Sequence, residues 1–427
     1  MTSKPYYTEL EYLESDGNQC IETGWSPTSN NLRTRFKAQS LGSPLGTAVC
    51  GLEKNGVTPR WIFILFGQSA DSTKTFPLIG NWNNKTEGFT FTNGSTLEID
   101  WTTTATSTTI TDSISNVTYS HTYGTSITFS NNDNTLKLFQ NGDTQKSSIR
   151  LYYYQIYDNN NVVHDFIPVL DNDKVPCMYD KVSGQCFYNA GTGNFVAGRE
   201  IHPVEYLEST GTQYIDTGFV GNQNTSLKIK LELDGSETQT TAVFGSRVLS
   251  SGTVDNSFYM YKVYSSTAPT FKPQFGFDTQ TYNDTSTTDF SNPIEFYFNK
   301  RVVSVNGTTV KTFNSATFTT PSSILLFNCH TGTAGTDIDT RYAIGKLYYC
   351  KIWNNDVLVH DYTPAIDENG VGFMFDNTNR TIHDNAGTGT FIAGPTILEQ
   401  GNIDLSLKTK LTLLLNKRRN YTPLKYL

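Results

Sequence analysis

Apolar residues along the chain recur in short runs, several of them with a period of two, and turn residues separate the runs. The clearest run is residues 226–233, in which Leu227, Ile229, Leu231 and Leu233 alternate with polar residues. A period of two places these four side chains on one face of a β-strand. Similar runs predict strands at residues 61–66, 96–101, 136–139, 149–157, 294–298, 301–305 and 324–327. The pair Asn306-Gly307 predicts a hairpin turn.

Three motifs occur twice, in the same order. Residues 11–24 (EYLESDGNQCIETG) share ten of fourteen residues with 205–218 (EYLESTGTQYIDTG). Residues 151–171 match 347–367, and NAGTGNFVAG at 189–198 matches NAGTGTFIAG at 385–394. Because the motifs open and close each half, the repeat unit is a whole domain. We predict an all-β fold of two tandem jelly-roll sandwiches, at residues 1–199 and 200–394, followed by a C-terminal segment at 395–427.

Composition narrows the class of protein. The 427 residues have a formal net charge of -8, which argues against nucleic-acid binding. The first residues contain no apolar core of signal-peptide length, and no run of 18 apolar residues occurs, so we expect neither an export signal nor a membrane-spanning helix. Five of the six cysteines align with large apolar or aromatic residues of the other half: Cys20, Cys50, Cys177, Cys186 and Cys350. We therefore predict that all six cysteines are unpaired and that most of the thiols are buried.

The repeated motifs resemble a known kind of module. The opening EYLES-x-G-x-Q-x-I-x-TG, the central KLYYCKIW at 346–353 leading to VHDYTP, and the closing NAGTGTF are similar to laminin-G-like, concanavalin-like jelly-roll modules. Such modules recur in virion proteins of bacteriophages and prophages of gut bacteria. The resemblance covers about 390 residues in both halves. It implies a two-sheet sandwich and a virion-associated role, and it identifies no ligand.

Two groups of residues fit catalytic patterns, and both have a simpler interpretation. His164-Asp165 and His360-Asp361 fit a general base with its orienting acid, but neighbours in a strand point to opposite faces. We interpret the Asp-x-x-Pro pattern there as a strand-ending corner in which the Asp accepts backbone hydrogen bonds. Glu98 and Asp100 have the spacing of a glycosidase pair, but the second half has Glu295 and Tyr297 instead. We therefore expect no enzyme activity.

Ligand binding has two candidate sites in the sequence. Trp82, with Asn81 and Asn83, lies among turn residues and could stack on a sugar ring, although a Trp folded over a sheet edge is the alternative. We predict no cofactor and no metal site, and keep calcium as an alternative because three acids occur in both halves: Glu14/Glu208, Asp171/Asp367 and Asp180/Asp376.

The C-terminal segment differs in character from the rest of the chain. It contains six basic and two acidic residues. Its apolar residues fall on odd positions, as on one face of a strand: Ile403, Leu405, Leu407, Leu411, Leu413 and Leu415. We predict that this strand is an assembly anchor that adds to a sheet edge of a partner, with packing on its own second domain as the alternative.

These observations favour a structural, adhesive protein. The first hypothesis is a bacteriophage virion appendage, such as a head fibre, capsid decoration or tail-associated protein, that binds other virion proteins, itself and host surface glycans. It would assemble in the host cytoplasm and be released by lysis. A bacterial cell-surface or secreted glycan-binding adhesin is the second hypothesis, and a glycan-cleaving enzyme is the third.

Overall fold

The computed structural model describes residues 6–41, 48–52, 60–64, 76–80, 94–129, 135–141, 145–235, 238–265, 270–284 and 289–397. These residues form strands, turns and loops, and none of them forms a helix that could cross a membrane. The strands of the first half are β1 Tyr6–Leu10, β2 Leu13–Asp16, β3 Ile21–Glu22, β4 Leu32–Ser40, β5 Ala48–Leu52, β6 Arg60–Ile64, β7 Phe76–Gly80, β8 Thr96–Thr103, β9 Ser107–Asp112, β10 Val117–Thr122, β11 Lys137–Leu138, β12 Gln140–Asn141, β13 Gln145–Lys146, β14 Ser148–Asp158, β15 Asn161–Asp171, β16 Pro176–Asp180, β17 Gln185–Phe187 and β18 Val196–Ala197.

The second half continues in the same way. Its strands are β19 Glu200–Pro203, β20 Leu207–Thr210, β21 Ile215–Asn222, β22 Thr225–Leu233, β23 Thr241–Ser250, β24 Thr253–Ser265, β25 Thr270–Phe277, β26 Gln280–Asn283, β27 Ile294–Asn299, β28 Val302–Val305, β29 Thr308–Thr312, β30 Thr319–Leu326, β31 His330–Thr331, β32 Asp337–Ile338, β33 Ile344–Asn354, β34 Val357–Ile366, β35 Gly372–Asp376, β36 Thr381–His383 and β37 Ile392–Ala393. The all-β fold class predicted from the sequence is confirmed.

In the described residues, each half has one large antiparallel sheet and one smaller main sheet, and the large sheets of the two halves have the same strand order. The large sheet of the first half runs β10-β9-β8-β4-β14-β15-β16-β17, and that of the second half runs β29-β28-β27-β22-β33-β34-β35-β36. The smaller sheets are β3-β11-β5-β6-β7 and β21-β30-β23-β24-β25-β26. Paired in this way, the two sheets of each half form a β-sandwich.

A separate hydrophobic core fills each sandwich. The first core contains the fully buried Trp101 and Tyr154, and the second contains Phe298 and Cys350 at the corresponding positions of the sheet. Strand β22 has the alternation predicted from the sequence, and its alternating apolar side chains are all buried in the second core. All six cysteines are free; five are buried and Cys186 is partly exposed.

The opening and closing motifs of each half contact each other. The Asn189 side chain accepts hydrogen bonds from the backbone of Cys20, at 3.1 Å, and of Gly191, at 2.8 Å. A side chain at Gly191 would meet the carbonyl oxygen of Asn18, since an added Cβ would lie 2.1 Å from it. The closing glycine therefore allows the C-terminal end of each half to pack directly on its N-terminal hairpin.

Strand β19 joins the two halves. Its first two residues pair with β1 and its last two pair with β34, so the two large sheets are continuous through it. Two buried cations reinforce this joint. Arg380 donates to Glu9 at 2.8 Å and to the Leu10 carbonyl at 2.9 Å, and Lys37 donates to the Thr381 hydroxyl at 2.6 Å.

The same backbone pairing recurs where the second half ends. Thr396 forms a bridge with Val204, and the Ile397 amide donates to the Pro203 carbonyl at 2.9 Å. These bonds repeat the pairing of Glu200 and Ile201 with β1. Residues 395–397 thus continue the second sandwich.

Candidate functional site

The outward face of each large sheet carries rows of polar and aromatic side chains. In the first half, cross-strand pairing aligns Arg33 with Tyr157, Arg35 with Asp100, and Lys37 with Glu98. These outward residues alternate along β4 and β8 with residues of the core, such as Phe36 and Ile99. The period of two therefore builds a polar surface directly over a rigid hydrophobic core.

Part of this surface forms a groove of about 490 Å³. Its lining residues come mainly from β4, β8 and β9, and they are mostly charged or hydroxyl-bearing: Arg33, Arg35, Glu98, Ile99, Asp100, Thr102, Thr109, Thr111, Ser113, Tyr153 and Asn160. Its size lies within the range of small-molecule sites, and its many donors and acceptors favour a polar ligand.

Hydrogen bonds within the sheet hold the charged groups of the groove in place. Arg33 donates two hydrogen bonds to Asp100, with Nε 2.7 Å from Oδ1, and these bonds raise the pKa of Arg33. Arg35 Nε lies 3.6 Å from the same carboxylate. The Tyr153 hydroxyl donates to Glu98 at 2.9 Å, and burial together with this carboxylate raises the pKa of Tyr153 well above its usual value. The groove thus presents fixed donors and acceptors with balanced charge.

The two carboxylates singled out in the sequence, Glu98 and Asp100, do share the outward face. Both are already engaged, Asp100 by two guanidinium groups and Glu98 by a tyrosine hydroxyl. The strand register confirms that Glu295 and Tyr297 are their counterparts in the second half.

The prediction of a strand-ending corner at Asp165 and Asp361 was wrong. Both residues lie inside long strands, β15 and β34, which continue past the following proline. The Asp165 side chain accepts from Gln155 at 3.1 Å, and Asp361 accepts from Lys351 at 2.9 Å. As predicted, neither pairs with its neighbouring histidine, because adjacent residues of a strand point to opposite faces.

Each histidine pairs instead with an acid 16 residues later. His164 Nδ1 lies 2.9 Å from Asp180 Oδ2, and His360 Nδ1 lies 2.6 Å from Asp376 Oδ2. Asp180 also accepts from the backbone of Asp165, Val182 and Ser183. These bonds close the turn between β16 and β17, so the shared histidine and acid form a structural pair in both halves.

Several of the acids considered for calcium are engaged in other contacts. Glu14 accepts from Arg150 at 2.8 Å, while Asp171 and Asp367 accept backbone bonds within their own turns. Across the part of the chain that the structure describes, no three His, Cys, Asp or Glu side chains form a group that could hold a metal ion.

Two predicted sites lie outside the described residues. These are the glycan-binding candidate formed by Trp82, Asn81 and Asn83, and the anchor strand formed by Ile403, Leu405, Leu407, Leu411, Leu413 and Leu415. Both stay predictions.

Sequence reasoning missed the groove itself. A signal for it exists in residues 32–40 (LRTRFKAQS), where Arg33, Arg35, Lys37 and Gln39 alternate with apolar and small residues. Such alternation indicates a strand with one cationic face. It does not indicate that Asp100, 65 residues after Arg35, lies directly opposite on the next strand.

Comparisons with known proteins add little to this description. No protein-family model matches the chain, and no curated protein matches its sequence. Among solved structures, domains LG4-5 of the mouse laminin alpha1 chain are similar with a TM-score of 0.30 and 8% identity, over 93% of this chain and 96% of that chain. The LG1-3 region of the laminin alpha2 chain is similar with a TM-score of 0.29 and 8% identity, over 90% and 65%. At these TM-scores the likeness does not bear on function, and the fold assignment rests on the sheets themselves.

Proposed function

We propose that the chain is an adhesive protein whose first half binds an uncharged glycan in the groove over β4, β8 and β9. The observation that carries this proposal is the set of ion-paired and hydrogen-bonded side chains that opens onto the groove. A sugar hydroxyl both donates and accepts, so it can bond a carboxylate and a guanidinium at the same time. Such partners line one wall of the groove: they are Asp100 with Arg35, and the hydroxyl groups of Thr109 and Thr111.

The proposal includes no catalytic step. A glycosidase needs one carboxyl group that is protonated at working pH and a second that is ionised. Asp100 is held by a bidentate contact with Arg33, and Glu98 accepts a hydrogen bond from Tyr153, so other side chains of the sheet occupy both carboxyl groups. Two acidic side chains held in this way are suited to positioning a ligand rather than to cleaving it.

We further propose that this adhesive protein belongs to a bacteriophage virion, as an appendage that contacts other virion proteins, copies of itself and the host surface. The support for this setting is the resemblance of the three repeated motifs to virion modules. A bacterial surface adhesin is the alternative that uses the same groove. Proteomic detection of the chain in purified phage particles would support the first setting, and detection only in cell-envelope fractions would contradict it.

Glycan binding is tested with the full chain on a glycan microarray, followed by calorimetry with the best ligand. We expect Arg35→Ala to weaken binding at least tenfold, because it removes a donor on the groove wall. The matched control is Lys181→Ala, which removes the same charge from an exposed side chain of the first half that lies outside the groove. Equal affinity for the wild type and Arg35→Ala, or no binding to any glycan, would contradict the proposal.

A further inference from the structure

The second half has its own version of the groove surface, built on β33, β22 and β27. The strand registers align Ser226 with Trp353, Lys228 with Tyr297, and Lys230 with Glu295. In the first half the corresponding pairs are Arg33 with Tyr157, Arg35 with Asp100, and Lys37 with Glu98. The second half thus keeps a cation at the position of Arg35, which is Lys228, and a glutamate at the position of Glu98, which is Glu295. Arg33 and Asp100, in contrast, are replaced by Ser226 and Tyr297.

The first half has an ion pair of Arg33 with Asp100 on this face, and the second half has a contact between two aromatic rings. The rings of Tyr297 and Trp353 meet edge to face, with centroids 6.0 Å apart, and both side chains are partly exposed. Their neighbours in the strands, Phe296, Phe298 and Ile352, are buried in the core. The two rings therefore belong to the outward face rather than to the packing of the sandwich.

Polar groups stand directly beside these rings. Lys228 Nζ lies 2.9 Å from a Glu295 carboxylate oxygen and 5.9 Å from the centre of the Tyr297 ring. Tyr349 donates a hydrogen bond to the same carboxylate. Burial alone would raise the pKa of Glu295, but the bonds from Tyr349 and Lys228 lower it, so the carboxylate is an ionised acceptor. An acceptor, a cation and two rings thus share one face.

The residue beside Trp353 differs from the residue beside its counterpart, Tyr157. In the first half the Arg33 guanidinium lies over the Tyr157 ring, 5.2 Å from its centre. Ser226 has replaced that arginine, and its hydroxyl bonds Asn299 at 3.3 Å. A serine is too short to cover an indole in the way that the Arg33 guanidinium covers the Tyr157 ring.

We propose that this face is a second glycan site, which selects pyranoses with an apolar C–H face. The sugar stacks on Trp353 and Tyr297, and its hydroxyls bond Lys228 and Glu295. This inference rests on the proposed function and deepens it: the groove of the first half offers hydrogen-bond partners, and the face of the second half adds stacking. Flat β-linked glucans expose C–H groups on their ring faces, so they are the class of ligand that we expect these two rings to bind.

The test titrates the full chain with cellohexaose and follows both heat and tryptophan emission. We expect Trp353→Ala and Tyr297→Ala each to weaken binding about tenfold or more, the loss of one stacking contact. Trp353→Phe should keep most of the affinity and lose the emission change. The control Tyr188→Ala removes a ring that is 49% exposed and lies outside both faces, and it should leave this affinity unchanged.

The outcomes separate the two proposals. If a glycan binds and Arg35→Ala abolishes binding while the Trp353 and Tyr297 variants bind normally, the second site is refuted and the proposed function stands. If the wild type binds no glycan on the array, both are refuted. If Trp353→Ala does not fold, Trp353→Phe and Lys228→Met replace it in the titration. An emission change in Trp353→Phe that equals the change in the wild type refutes the second site.

Discussion

Asp180 and Asp376 show how a single carboxylate organises a turn. Burial alone would raise the pKa of Asp180, but the hydrogen bonds from His164 and from backbone amides outweigh burial and hold its pKa well below the usual 3.8. The pKa of Asp376 is lowered by the corresponding bonds. A carboxylate whose pKa is lower in the folded state stabilises that state above its unfolded pKa, and this contribution is lost as the pH falls through the folded value.

We expect Asp180→Asn and Asp376→Asn each to lower the free energy of unfolding at pH 7 by about 3 kcal/mol, because an amide cannot accept the same set of charge-assisted bonds. The variants should also lose less stability than the wild type as the pH falls below about 4. Denaturant unfolding at pH 7 and at pH 3 measures both effects. Asp173→Asn is the control, since Asp173 is exposed. Variants as stable as this control would contradict the structural role of the pair.

At the scale of elements, the contact between the opening hairpin and the closing turn holds the two ends of each half together. Asn385 repeats the bonds of Asn189, accepting from the backbone of Tyr214 and Gly387. An added Cβ at Gly387 would lie 2.1 Å from the Thr212 carbonyl oxygen, as at Gly191 in the first half. The glycine is required by close approach, and neither position has a positive φ.

We expect Gly191→Ala and Gly387→Ala to destabilise their halves by about 2 kcal/mol, the usual cost of forcing extra atoms into a packed contact. Gly124→Ala is the matched control, because nothing lies within 4 Å of an added Cβ there and its φ is not positive. This control should be neutral or slightly stabilising, since alanine restricts the unfolded chain. Thermal unfolding measures all three, and equal effects would contradict the steric explanation.

At the scale of the whole molecule, strand β19 and the side-chain bonds around it join the two sandwiches. Arg380 occupies a turn position with φ +53°, where the first half has Gly184 with φ +72°. A side chain in this left-handed region costs about 1 kcal/mol relative to glycine. The strain is offset by the two bonds that Arg380 donates across the joint to β1.

The variant Arg380→Gly gives this turn the glycine that the first half has at the same position. It relieves the backbone strain and removes the two bonds across the joint. We expect it to keep the second half folded, because the turn then has the residue it has in the first half. The joint should weaken, so small-angle scattering should show a larger radius of gyration and trypsin should cut faster after Arg199. Lys300→Ala, which removes an exposed cation on the second half, is the control. An unchanged scattering curve for Arg380→Gly would show that strand pairing alone holds the joint.

The sequence by itself determined the repeat, the all-β class and the alternation of core and surface residues in its clearest strands. The run at 226–233 became β22 with its four apolar residues buried, and Asn306-Gly307 forms the predicted hairpin turn with φ of 46° and 80°. These features are local, since the side-chain period and the turn conformation depend on residues close together in the chain.

Only the tertiary structure decided which outward residues meet. Arg35 faces Asp100 because β4 pairs with β8 in one register, and His164 reaches Asp180 because β15 pairs with β16. The register is set by packing of the opposite face against the core, so it cannot be read from either strand alone. For the same reason the groove of the first half and the aromatic face of the second became visible only when the sheets were assembled.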